Sequence, residues 1–193
     1  MYINFCLGSK RNALILIGAL VAACSPGEPP AASHDGMPGA ASTDAGYNTD
    51  FTVAEIMDAI VMREADVIWN AVSYSSTADG FVAVGPESEE DWTNLRAAAL
   101  SLGEATNSLL IPGRHANRPD AEVGEGELTP AEMDALISSE HGTWTAFAQA
   151  LRSTADEAIA AIDARDVDRI LDVGGSIDEA CEGCHLVFWY PNQ

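Results

Sequence analysis

The chain has 193 residues, 47% hydrophobic and 20% charged, enough for one hydrophobic core and too little for two. Its 30 Asp and Glu against 9 Lys and Arg give a formal net charge of -21. Electrostatic binding to nucleic acid or anionic headgroups is thereby excluded, because the phosphates would be repelled; a basic protein partner fits the same field.

Lys10 and Arg11 precede an apolar run from Ala13 to Ala23 that is too short to span a bilayer comfortably. Residues 1–23 read as a secretory signal. The run stops at Val21-Ala22-Ala23-Cys24, which resembles the lipobox of bacterial lipoproteins, whose cysteine is acylated and becomes the mature N-terminus. The competing readings are an ordinary A-x-A-like cleavage site or a buried thiol; small residues crowded against a cysteine at the end of the run favour the lipobox. Ser25, where Asp would signal retention, resembles the outer-membrane sorting pattern. The expected location is the periplasmic side of a bacterial membrane, the outer more than the inner, with lipid on Cys24 as the anchor. Cys6 leaves with the signal, so Cys181 and Cys184 are the remaining thiols, in an oxidising compartment.

Residues 24–50 are rich in Pro, Gly, Ala and Ser without an apolar period and read as a disordered tether, so His34 and Met37 are not ligand candidates. The folded domain is expected over 51–193. Thr52 and Glu55 form a capping-box pattern before a first helix that carries Val53, Ile56, Met57, Ile60, Val61, Val67, Ile68 and Ala71 on one face. Glu64 interrupts that face, and the pattern offers no reason for it. After a Gly-containing loop of about fifteen residues, Ser88 caps a second helix with Trp92, Leu95, Ala99, Leu102, Thr106 and Leu109 inside, ended by "IPGR". A long Pro/Gly-rich connection leads to Thr129-Pro130-Ala131-Glu132, the strongest helix start in the chain. The third helix is expected to run to about Asp163 on Ile137, Trp144, Ala148, Leu151, Ala155, Ala158 and Ile162. Asp166 caps the fourth, with Val167, Ile170, Leu171, Gly174, Ile177, Cys181, Cys184 and Phe188 inside. "GFVAVG", the best strand candidate, is too short to count. The expectation is an all-α fold, an antiparallel up-down-up-down four-helix bundle.

Cys181-Glu182-Gly183-Cys184-His185 has the spacing of a c-type haem attachment site. Two thiols about one helical turn apart can form thioethers with the two vinyl groups of a porphyrin, and the next imidazole then lies under the iron. Zinc would need further ligands, and His115 and His141 lack the spacing of a finger. A thioredoxin-type pair begins a helix in an α/β fold, whereas this pair ends one. The chemistry thus points to one covalently bound haem c, with His185 as its proximal ligand.

A four-helix domain with its one haem motif at the end of the last helix resembles the cytochrome c-prime family, the class II c-type cytochromes. The resemblance covers roughly residues 50 to 190, with Cys181 and Cys184 at the thioether positions and His185 at the axial one. Where that family often has basic residues soon after the histidine, this chain has Leu186, Val187, Phe188, Trp189 and Tyr190. Arg63, Arg96, Arg152 and Arg169 are the cations that could balance the haem propionates or the surface acids, and the sequence does not choose among them.

The resemblance also implies that the sixth iron position decides function: methionine there makes an electron carrier, and an apolar residue an open site for NO or CO. Antiparallel first and last helices would set the start of helix one beside His185. Met57 and Met62 lie about 140° apart around that helix, Met57 with Val53, Ile60 and Val61, Met62 with Glu55, Asp58 and Asp66. Packing the core is the ordinary role of such a methionine; depth, face and helix make Met57 the expected distal ligand. His141, about 18 Å along helix three, is the weaker candidate. The leading expectation is a membrane-anchored single-electron carrier, not an enzyme, that docks with a basic redox partner. A five-coordinate gas-binding protein, or a haem subunit of a larger outer-membrane assembly docking through "FWYPNQ", is the alternative; a homodimer is open.

Overall fold

Helix α1 opens where the Thr52 hydroxyl accepts from the Glu55 amide and the Glu55 carboxylate accepts from the Thr52 amide at 2.8 Å. This is the expected capping box, and it satisfies two amides that the helix itself leaves unpaired. The Val53 and Ala54 amides donate to the carbonyls of His115 and Ala116, both at 2.9 Å. From there α1 runs as α-helix over Val53–Ile56, as π-helix over Met57–Val61 and as α-helix again over Met62–Trp69. In this computed structural model residues 46–78, 80–191 and 193 are described. The signal, Cys24 and the tether as far as residue 45 lie outside the described residues; Asn48 and Phe51 are held to the domain by hydrogen bonds from Arg114 to their carbonyls.

The π-helical turn corrects the expected face of α1. Buried positions run Val53, Ile56, Val61, Ala65, Ile68 and Val72, so one step of five stands where a regular helix has three or four. Ile60 and Val67, expected inside, are 37% and 43% exposed. The physical reason is Glu64. A regular helix with Ile56 and Ile60 inside would carry Glu64 inside too, and an unpaired buried carboxylate costs several kcal/mol. The bulge gives up an i to i−4 bond worth about 1 kcal/mol and makes the Met62 amide to Met57 carbonyl bond instead. Ala65 then takes the core position, and Glu64 sits half-buried at its edge.

A second difference follows α1. Strand β1, Ser73–Thr77, pairs antiparallel with β2, Gly80–Val84, from Ser73 opposite Val84 to Thr77 opposite Gly80. Gly80 turns the hairpin with φ +122°, a conformation that side chains resist. Every β1 residue is exposed, so no burial alternates with period two, and the pattern carried no strand signal.

Helix α2, Glu89–Leu109, starts on Ser88, whose hydroxyl and amide exchange hydrogen bonds with Asp91. Thr129 caps α3, Pro130–Ser139, in the same way with Glu132. The single third helix expected to Asp163 is broken: Glu140, at φ −109° and ψ 35°, separates α3 from α4, His141–Asp163. Ser139 donates its hydroxyl back to the Leu136 carbonyl, and Gly142 follows just inside α4, the Ser/Gly context in which helices kink. Asp166 accepts from the Arg169 amide to cap α5, Val167–Phe188.

The described residues are thus mostly helical, five helices with one two-stranded sheet. Helix α2 packs on α4, α4 on α5, and α1 on α2, while only the second half of α1 packs closely on α5. Small residues let α2 and α4 approach: a Cβ on Gly103 would meet Arg152 Cδ at 3.3 Å and Ala155 Cβ at 3.4 Å. Leu102, Ala155, Ala158 and Ile177 are fully buried between these helices. Leu171, expected inside, is 40% exposed, and Val173 takes its place in the core. Among the described residues no helix is long and apolar enough to cross a membrane.

Candidate functional site

Helix α5 buries Ile170, Val173, Ile177 and Phe188 along one stripe, and Cys181, Cys184 and His185 fall at its edge, half-buried. Both thiols are free. Burial pushes Cys181 up to about 11, with Asp178 adding to it, and Cys184 up to about 12. They are neutral at ordinary pH, unlike the lowered leading thiol of a redox pair at a helix N-terminus. Burial also lowers His185, against the opposing pull of Glu182, so its imidazole is neutral, the form that ligates a metal. Among the described residues no three His, Cys, Asp or Glu side chains converge on one point as a zinc site requires.

Four helices meet at this pair of thiols. Met57 from α1, Leu109 from α2, Trp144, Phe147 and Leu151 from α4, and Cys181, Cys184 and His185 from α5 line one small apolar hollow of about 20 Å³. Met57 and His185 are therefore brought together, as antiparallel first and last helices require. Met62 is 49% exposed, and His141 is exposed at the start of α4, outside this lining. The wall is rigid. Trp144 donates its indole N–H to the Leu109 carbonyl at 3.0 Å, and its ring meets Phe188 edge-on at 5.1 Å. Phe147 also meets Phe188 edge-on, at 6.2 Å. A second hollow of about 350 Å³ follows along the α1–α5 seam, between Ile68, Trp69 and Val72 and the α5 residues Ile170, Gly174 and Asp178. There Trp69 donates to the Gly174 carbonyl at 2.8 Å.

The end of α5 wraps the histidine. The His185 carbonyl accepts from the amides of Trp189 and Tyr190, turning the chain back over the imidazole. The Trp189 ring stands edge-on to it at 5.2 Å and the Tyr190 ring lies tilted at 5.9 Å. Tyr190 is fixed by donating its hydroxyl to Glu182 at 2.7 Å, which pushes the phenol up to about 12. The sequence shows an aromatic run here but not that it folds onto His185; only the helix end sets that.

Of the four cations picked out of the sequence, two balance surface acids. Arg96 pairs with Asp163, and Arg152 with Glu104 and Asp156. At the start of α1 stand Arg118, paired with Glu55 at 2.7 Å, and Arg114, bound to backbone carbonyls. Both come from the long connection, where no helical period marks them. Comparisons with protein-family models, curated proteins and solved structures find no match to this chain.

Proposed function

We propose that this protein is a class II c-type cytochrome: a four-helix bundle holding one haem c, anchored by lipid on Cys24 at the periplasmic side of a membrane and carrying single electrons rather than catalysing a reaction. The observation that carries the reading is that Met57 on α1 and the Cys181–Cys184–His185 turn of α5 line the same apolar hollow. The donor set fits the group. Two neutral thiols one turn apart would suit thioether bonds to one ring, and the imidazole of His185 and the thioether sulfur of Met57 would suit an iron held there. A hollow of about 20 Å³ admits one water, so a porphyrin would require the start of α1, which has little contact with α5, to part from it. When bound, haem supplies a one-electron Fe(III)/Fe(II) couple. Cys181 and Cys184 would hold it covalently, His185 would ligate from α5, and Met57, a soft donor, would favour the reduced metal. Trp144, Phe147 and Leu151 keep water from that side.

Met57→Ala tests the assignment. The wild-type protein is expected to be low-spin with a sulfur-to-iron band at the red end of its ferric spectrum. The variant should become high-spin, bind carbon monoxide readily and fall in reduction potential, while Met62→Ala leaves the spectrum unchanged. A wild-type protein already high-spin would transfer the reading to gas binding at an open sixth site.

A further inference from the structure

We infer that the end of α5 is the electron port of the proposed carrier, with Trp189 and Leu186 as the apolar centre of a docking face for a redox protein that presents basic residues. The inference rests on the haem reading above and adds a place and a partner chemistry to it. Electron tunnelling decays steeply with distance, so the exit is favoured where a side chain both touches the ligand and reaches solvent. Trp189 meets both conditions: its ring stands against His185 at 5.2 Å and it is 40% exposed. Trp144 and Phe188 are buried, and Phe147 and Tyr190, the latter farther from the imidazole at 5.9 Å, are less exposed than Trp189. Leu186, three residues before Trp189, is 43% exposed, so two large apolar side chains emerge together beside the imidazole.

Charge complementarity identifies the occupant. No Lys or Arg occurs between Arg118 and Arg152, or anywhere after Arg169. The exposed side of α5 carries Asp178, Glu179 and Glu182 toward the same end. The loop of residues 124–128 is pinned there by the Leu128 amide on the Trp189 carbonyl at 2.7 Å and by Gln193 on the Glu125 carbonyl, which adds Glu125 and Glu127. Elsewhere acids are matched: Asp163 by Arg96 and Glu89 by Arg165 at the opposite end, and Glu55 by Arg118 at the start of α1. An apolar centre with an uncompensated acidic rim is complementary to a basic face around an apolar centre, which raises the rate of encounter and orients it.

The test is oxidation of the reduced holoprotein by a cationic aromatic complex, tris(phenanthroline)cobalt(III), and by anionic ferricyanide, followed by stopped flow at low salt. Trp189→Leu should slow the cobalt reaction about tenfold, within the range over which interface variants move on-rates and beyond what the variant's own reduction potential accounts for. Glu179→Lys should slow the cobalt reaction by a similar factor and speed ferricyanide. Glu157→Lys, the same charge change on the exposed side of α4, should do much less of either. Independently of electron transfer, amide chemical shifts on adding oligolysine should move chiefly over residues 178–190 and 122–128. A wild-type rate in Trp189→Leu, equal responses of the two Lys variants, or shifts spread evenly over the surface would overturn the docking face while leaving the haem reading intact. Purified protein without covalent haem would remove both, and its absorbance shows this before any rate is measured.

Discussion

Glu55 does two things at once, and its ionisation makes them pH-dependent. Its carboxylate accepts from the Thr52 amide and pairs with Arg118, and these contacts, the backbone bond first, hold it below the usual carboxylate range. A carboxyl lowered in the folded state contributes stability that is present above its ordinary value of about 4.5 and is lost as pH falls through the lower folded value. Glutamine keeps the capping geometry but neither charge nor titration. The urea midpoint of Glu55→Gln is therefore expected to lie below wild type at pH 7 and to converge with it toward pH 3; a constant gap would show that the charge is not the cause. The capping box, the grouping of Cys181, Cys184 and His185 and the inward placing of Met57 were all legible in sequence because each depends on neighbours within a turn or two. The contact of Trp189 and Tyr190 with His185 was not, because it needs the helix to end at Phe188 and the chain to fold back.

At the scale of the element, the instructive failure is α1. A strict 3.6-residue reading puts Ile60 inside and leaves Glu64 unexplained; the five-residue step at Met57–Val61 resolves both, because ejecting a carboxylate outweighs one regular hydrogen bond. Two truncations measure the phase directly. Val61→Ala, at a 4% exposed position, should cost about 2 kcal/mol in urea unfolding, and Ile60→Ala under about 1 kcal/mol. Equal losses would mean a regular helix. The break at Glu140 was illegible because Ser139 and Gly142 weaken a helix without stopping its apolar period. Of the β-hairpin, "GFVAVG" was visible as a strand candidate but dismissed as too short, and it holds β2; β1, exposed throughout, has no period to read.

For the whole molecule, the proposed role depends on where the chain is held as much as on the site. Lipid on Cys24 would remove many methylenes from water at about 0.8 kcal/mol each, enough for stable anchoring when more than one chain is attached. Cys24→Ser is expected to leave unprocessed or mislocalised precursor, read by fractionation and mass; unchanged mature protein would rule the anchor out. A strongly acidic body, on a chain of formal net charge -21, would then face its partner from a fixed surface, and salt should slow their encounter. Everything in the account turns on a ring bonded to Cys181 and Cys184. The most direct measurement is the absorbance of protein purified from cells that mature c-type cytochromes, taken after acid-acetone extraction. Covalent haem predicts a Soret band that stays with the polypeptide and is sharply reduced in Cys181→Ser or Cys184→Ser. Colour that extracts completely, or a colourless protein from such cells, would contradict the account.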